Sequence, residues 1–229
     1  QAHSVRRNMP KISPRFSYAA SDYPLTDYST GLIAGQTVRF LEQHRNEPFA
    51  LWVSFPDPHE PWVAPRRYAD MFPPDKIDVP PWNENEFDAR ASERGAAPER
   101  NRVLYRMLGI GDDLQEDIYG LLGVYYGMVR FIDDGLGQIL DALETLGLRQ
   151  STIVVFTADH GDFMGEHAMQ CKGGVFYDCL TRIPMIVSWP GQIAAGQREC
   201  SMVSLIDVVP TLLQLQGLPI PRAMSGRPL

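Results

Sequence analysis

The longest pattern of apolar residues in the chain recurs at steps of three and four. Its members are Leu121, Tyr125, Met128, Ile132, Leu136, Ile139, Leu143 and Leu146. This spacing places them on one face of a helix, and Gly147 follows at the place where a glycine commonly ends a helix. The pattern therefore predicts one long helix, with Asp133 and Asp134 on or near its solvent-exposed flank.

Three shorter runs, rich in β-branched and aromatic residues, predict buried strands. The runs cover residues 49–55, 151–157 and 183–189. Helical patterns at residues 27–44 and 205–216 alternate with them, and Asp207 is expected to cap the start of the second. Strands and helices that alternate at these lengths predict an α/β fold, in which a mostly parallel sheet is flanked by helices on both faces.

The stretch from Pro73 to Asp117 differs from the rest of the chain because it shows little periodicity. It is rich in Pro, Asn, Glu, Asp and Arg. Loops of this length usually shape a site rather than support a core. The stretch is therefore predicted to be a long surface excursion.

The composition is that of a globular protein with a modest acidic charge. Of the 229 residues, 44% are hydrophobic and 21% are charged, which excludes disorder, collagen and coiled coil. The chain has 21 Lys and Arg residues against 28 Asp and Glu residues, a net charge of −7. It is therefore not expected to bind nucleic acid, and no apolar run is long enough to span a membrane. An anionic substrate would need a local positive potential.

Polar residues that follow two of the predicted strands are the candidates for a functional site. Ligands of open α/β sheets bind beyond the carboxyl ends of the strands. His59 follows the first strand, and Asp159, His160 and Lys172 follow the second. A carboxylate oxygen and an imidazole nitrogen can both bind a metal ion. The pattern by itself leaves open that Asp159 caps a turn and that His160 is a structural imidazole.

Two of these residues suit chemistry on an anionic ester. His59 lies between Pro58 and Pro61, which stiffen its loop as a proton donor or an oxyanion ligand requires. Lys172 is followed by two glycines, and an ammonium group there could neutralise an anion. A surface turn and a solvated loop lysine are the alternatives. Glu166 and His167 are interpreted as structural or supporting residues.

Several separate segments together resemble the sulfatase family of the alkaline-phosphatase superfamily. They are residues 125–134, 153–162, 165–167 with Lys172, 182–184, 189–191, 207–213, 217–219, and the loop 54–61. The resemblance runs in the right order from about Asp22 to Leu229. It implies the family's α/β fold and a hydrolase that acts on sulfuric esters.

The resemblance also implies a role for each candidate residue. Asp159 and His160 would be two ligands of a divalent cation, most often Ca²⁺ in sulfatases. Lys172 would contact the sulfate oxygens, and His59 would contact the ester or leaving-group oxygen. The expected substrate is a small-molecule or carbohydrate sulfate ester. The sequence leaves the oligomeric state and the cellular compartment open.

One part of the family pattern is missing. Sulfatases use a formylglycine nucleophile made from a Cys/Ser-x-Pro-x-Arg motif, and none of Cys171, Cys179 and Cys200 begins such a motif. We therefore expect residues 1–229 to be part of a catalytic domain, with the nucleophile upstream and the small C-terminal subdomain largely absent. Two alternatives stay open. One is a phosphonate monoester or phosphodiester hydrolase that uses Mn²⁺ or another transition metal, and the other is a catalytically inert fragment or pseudoenzyme.

Overall fold

The computed structural model of the protein describes residues 17–80 and 115–229. The helices are α1 (Ser29–His44), α2 (Arg66–Ala69), α3 (Gln115–Thr145), α4 (Asp178–Thr181) and α5 (Val208–Leu215). The strands are β1 (Tyr18–Ser21), β2 (Trp62–Pro65), β3 (Val154–Thr157), β4 (Phe163–Met164), β5 (Gln170–Cys171) and β6 (Met185–Ser188). In the described part of the chain, no helix is both long and apolar enough to cross a membrane.

Helix α3 is the long helix that the apolar periodicity predicts. It begins at Gln115 and ends at Thr145, so the last residues of the predicted excursion 73–117 belong to it, whereas residues 81–114 lie outside the described residues. Gly147 has a φ of 68°, and the N–H of Leu148 donates to the carbonyl of Leu143. This is the glycine termination that the sequence predicts.

The buried face of α3 turns gradually around the helix. Phe131 is buried, whereas Ile132, on the predicted face, is only half-buried. Leu136, also on the predicted face, is likewise only half-buried. Asp133 is exposed and pairs with Arg130, as expected for the solvent flank, but Asp134 also accepts a hydrogen bond from Tyr68 at 2.9 Å. Asp134 also forms an ion pair with Arg130, so its contacts are structural.

The strands form three two-stranded pairs, and only one pair is parallel. Strand β1 pairs in parallel with β2, while β3 pairs with β6 and β4 pairs with β5 in antiparallel register. Residues 151–157 and 183–189, predicted as strands of a mostly parallel sheet, form the shorter β3 and β6, and this pair is antiparallel. The chain returns from the carboxyl end of β3 along the same edge, where Thr157 lies opposite Met185 and donates to the carbonyl of Pro184. A parallel pair would require a crossover that carries the chain back to the opposite edge of the sheet before the second strand begins.

Residues 49–55 do not form the predicted strand. They have no ladder partner among residues 17–80 and 115–229. Val53 and Phe55 pack inward against the cluster around Leu41 and Leu143, whereas the side chain of Trp52 is 86% exposed. A β-rich composition favours an extended backbone, but a strand also requires a neighbour with which to exchange hydrogen bonds.

Helix α3 joins two apolar clusters in the described part of the chain. The first packs the amino-terminal part of α3 against β2 and the β4–β5 hairpin; its largest members are Trp62, Ile118, Leu121, Leu122, Met128, Phe163 and Met169. The second packs the carboxyl-terminal part of α3 against α1 through Leu41, Ile139 and Leu143. Gly127 lets α2 approach closely, because a Cβ there would lie 2.8 Å from the backbone nitrogen of Ala69. The site described below lies beside the first cluster.

The start of α5 differs from the prediction, because the Asp207 side chain makes no cap bond to this helix. Asp207 ends a short 3-10 turn, Leu205–Asp207, and closes a capping box with Ser204. The carboxylate of Asp207 accepts hydrogen bonds from the backbone N–H groups of Ser204 and Arg227. These bonds lower the pKa of Asp207 below its usual value, because they favour the charged form. Gly217, with a φ of 67°, follows the helix.

Candidate active site

The turn after β3 carries Asp159, His160, Gly161 and Asp162, and it lies tightly against the segment that contains α4. The backbone N–H of Gly161 donates to the carbonyl of Leu180 at 2.9 Å. A Cβ on Gly161 would lie 1.9 Å from the carbonyl oxygen of Cys179. Only glycine fits this approach, so the close contact fixes the directions in which the flanking side chains leave the turn.

Asp159 and His160 present neighbouring ligand atoms to solvent. The side chain of Asp159 is 87% exposed and that of His160 is 41% exposed, with Oδ2 and Nε2 3.6 Å apart. The Nδ1 atom of His160 lies 2.9 Å from the carbonyl oxygen of Gly161. A proton on Nδ1 would be held by that carbonyl, and Nε2 would then carry the lone pair, an arrangement common in metal-binding histidines.

The β4–β5 hairpin brings Lys172 next to Asp162, in the turn after β3. Asp162 immediately precedes β4 and Lys172 immediately follows β5. The Nζ atom of Lys172 lies 4.0 Å from Oδ1 of Asp162, whose side chain is only 8% exposed. Neither of these two buried atoms has a hydrogen-bond partner in the described part of the chain.

The loop that carries His59 is anchored at the start of α1. The carboxylate of Asp57 accepts hydrogen bonds from the hydroxyls of Ser29 and Thr30, in the first turn of that helix. A carboxylate is favoured there because the amino-terminal end of a helix dipole is positive. The Nδ1 atom of His59 lies 2.7 Å from the carbonyl oxygen of Glu60. This contact favours a proton on Nδ1 and leaves Nε2 as the atom for a substrate.

Several candidate residues lie close enough to Asp162 to affect its pKa. Burial raises the pKa of Asp162 above its usual value, while the nearby Lys172, His160 and His59 oppose this rise and Glu60 adds to it. These side chains, from the His59 loop and from the segment after β3, lie within electrostatic range of Asp162. The structure therefore groups His59, His160 and Lys172 near one buried carboxylate, and Asp159 lies beside His160 at the exposed rim.

The thiol of Cys171 belongs to the interior of this site. Burial, and then the charges of Glu60 and Asp162, raise the pKa of the thiol well above its usual value. The thiol stays protonated, and its Sγ lies 3.6 Å from the Glu60 carboxylate, to which it donates. Cys171 thus connects the His59 loop to the hairpin.

Asp162, Glu60 and Asp57 have no predicted role in the sequence pattern. For Asp162, the sequence does contain one usable signal. Asp162 and Lys172 carry opposite charges and flank, at equal distances, the segment that forms the β4–β5 hairpin with Gly165 in its turn. Glu60 and Asp57 had no comparable signal, because their partners lie on distant segments. Glu166 and His167 serve the hairpin: Glu166 accepts from the backbone of Met164, and the ring of His167 packs against Phe163 and Tyr177.

The donor atoms near Asp159 fit only part of a metal site. Within residues 17–80 and 115–229, no group of three or more His, Cys, Asp or Glu side chains is arranged to hold one. The atoms of Asp159 and His160 can still share an ion, because two ligands of one cation lie roughly 3–3.6 Å apart. The pair thus fits part of a coordination shell, and its remaining ligands would have to come from elsewhere.

The chain is similar to sulfatases and to a related hydrolase along most of its length. A profile of the sulfatase family matches residues 5–218. An uncharacterised sulfatase, YidJ of Escherichia coli K12, is 32% identical over 202 residues, which cover 85% of this chain and 37% of that protein. The multifunctional alkaline phosphatase superfamily protein PehA of Trinickia caryophylli is also 32% identical, over 85% of this chain and 39% of its own length.

A solved structure shares the fold over the whole chain. The phosphonate monoester hydrolase of Silicibacter pomeroyi superposes with a TM-score of 0.79 at 25% identity, and the match covers 100% of this chain and 48% of that protein. The predicted fold class, that of sulfatases and alkaline phosphatase, is confirmed. The chain spans less than half of the length of each of these relatives.

Proposed function

The chain belongs to the sulfatase family, and we propose that it supplies part of the active site of a metal-dependent sulfuric ester hydrolase. The observation that supports this proposal is the grouping of His59, His160 and Lys172 around Asp162, at the carboxyl end of β3. Two loops that are distant in sequence bring imidazole and ammonium groups to one place. Such convergence suits an anionic substrate, which the net charge of −7 would otherwise repel.

Asp159 and His160 are the proposed metal ligands, through a carboxylate oxygen and Nε2. The carbonyl of Gly161 holds the other ring nitrogen of His160, so the ring is oriented before any ion binds. A divalent cation, Ca²⁺ in the leading interpretation, would supply positive charge next to the ester oxygens. The Asp159 carboxylate is well suited to a hard cation of this kind.

Lys172 and His59 are proposed to contact the ester itself. The ammonium of Lys172 has no hydrogen-bond partner among the described residues, so a sulfate oxygen would satisfy it. His59 presents Nε2, because Nδ1 faces the carbonyl of Glu60. When the ester S–O bond breaks, negative charge develops on the leaving oxygen, and a protonated His59 would stabilise it or give it the proton. The nucleophile, a formylglycine, would come from sequence outside this chain.

A second candidate reaction is hydrolysis of phosphonate monoesters or phosphodiesters. The observation that favours it is the superposition, over the entire chain, with a phosphonate monoester hydrolase. These esters carry a single negative charge, like sulfate esters, so the same cationic groups would bind both. Mn²⁺ or another transition metal would then replace Ca²⁺.

The test compares both reactions in the full-length protein. Its kcat/KM would be measured on 4-nitrophenyl sulfate and on a 4-nitrophenyl phosphonate monoester, with Ca²⁺ and with Mn²⁺. We expect the sulfate ester to be preferred with Ca²⁺. The reverse preference, with Mn²⁺, would favour the second candidate, and no turnover of either ester would favour an inert protein.

Three substitutions test the residue roles in the same protein. Asp159→Ala and His160→Ala should each abolish metal retention and turnover, and Lys172→Ala should weaken transition-state binding by about 2–4 kcal/mol. Asp133→Asn, which changes an exposed carboxylate of α3, is the control and should leave both properties unchanged. Wild-type metal content in both ligand variants would contradict the metal assignment.

A further inference from the structure

The β4–β5 hairpin places Asp162 and Lys172 opposite each other. The antiparallel register pairs Phe163 with Cys171 and Met164 with Gln170. Continued by one residue towards the open end of the hairpin, the same register pairs Asp162 with Lys172. Opposite charges at directly facing positions stabilise an antiparallel pair. The hairpin therefore delivers a carboxylate together with the ammonium group.

The burial of this pair makes it more than a surface ion pair. The Asp162 side chain is 8% exposed and the Lys172 side chain is 29% exposed. A buried charge that lacks a partner is costly, so each group depends on the other for compensation. Their separation of 4.0 Å is too long for a hydrogen bond, and neither Nζ nor Oδ1 has another partner among the described residues. The ammonium protons thus stay available to a bound anion.

We propose that Asp162 is a positioning residue that keeps the Lys172 ammonium aimed at the anionic oxygens of the bound ester. This inference rests on the proposed function of Lys172. Asp162 compensates the lysine charge through space and does not take its protons in a hydrogen bond. The pair is therefore a preorganised electrostatic element, of the kind that stabilises developing charge without reorganising during the reaction.

The test is a double-mutant cycle in the full-length protein, with Asp162→Asn, Lys172→Gln and the double variant. Asp162→Asn should lower kcat/KM about 10–100-fold, as expected when a charged partner is lost, and most of the loss should appear in kcat. In the Lys172→Gln background the same change should cost less than about 3-fold, because its partner has gone. Asp133→Asn is the matched control, since it removes the carboxylate of an exposed pair.

Two further readouts separate this inference from the proposed function. Metal content should be that of the wild type in Asp162→Asn, and its loss would overturn the inference, because the carboxylate would then serve the metal ion. The Tm of each single variant should fall, and the double variant should be no less stable than the less stable single variant. If neither the wild type nor any variant turns over an ester, the proposed function fails. The double-mutant cycle measured by Tm still tests whether Asp162 and Lys172 interact. Additive losses in Tm or in kcat/KM would overturn the inference.

Discussion

The substitution Gly161→Ala should destabilise the protein, because the turn at Gly161 leaves no room for a side chain. The new Cβ would lie 1.9 Å from the carbonyl oxygen of Cys179, in α4, so the turn and α4 must separate by about 1.5 Å to reach ordinary contact. Overpacking of this kind costs about 1–3 kcal/mol, and loss of the hydrogen bond to Leu180 adds about 1 kcal/mol. We therefore expect the free energy of unfolding to fall by about 2–4 kcal/mol.

The same displacement should damage catalysis. Asp159, His160 and Asp162 leave the backbone within two residues of Gly161, and a 1 Å misplacement of reacting groups costs about 100-fold in rate. Urea unfolding and kcat/KM on the preferred ester would measure the two effects. Gly137→Ala is the matched control, because a Cβ there meets nothing within 4 Å and alanine stabilises a helix interior by about 0.5–1 kcal/mol. Wild-type stability and wild-type kcat/KM in Gly161→Ala would refute this reasoning.

Two further predictions concern carboxylates that organise the chain. Asp57→Ala should lower kcat/KM roughly 10-fold, because the hydrogen bonds that it removes contribute about 1.5–3 kcal/mol to holding the His59 loop. Ser29→Ala is the control and should have a smaller effect, because Thr30 still donates to Asp57. Equal kcat/KM in Asp57→Ala and the wild type would rule this out. Asp207→Asn should lower the Tm at pH 7. Because the pKa of Asp207 is lowered in the folded state, its stabilisation is present above the usual value of 3.8 and is lost as the pH falls below it. The Tm difference from the wild type should therefore shrink between pH 5 and pH 2, and a constant difference would contradict the prediction.

The candidate site was only partly predictable from the sequence. Asp159 and His160 follow a predicted strand directly, so their position at its carboxyl end depends on local pattern alone. The approach of His59 to Lys172 depends on two anchors between distant segments: Asp57 at the start of α1, and Glu60 beside Cys171. No periodicity records such contacts, because each partner is an ordinary polar residue until the chain has folded.

The sequence by itself determined the three longest helices, the family and the residue types that can do the chemistry. Helix α3 and its glycine stop follow from a repeat that lies within one segment, and a helix makes its hydrogen bonds inside that segment. Strand pairing is different, because each hydrogen bond needs a partner elsewhere in the chain. Only the tertiary structure decided that β3 and β6 run antiparallel, that residues 49–55 lack a ladder among the described residues, and that Asp162 faces Lys172.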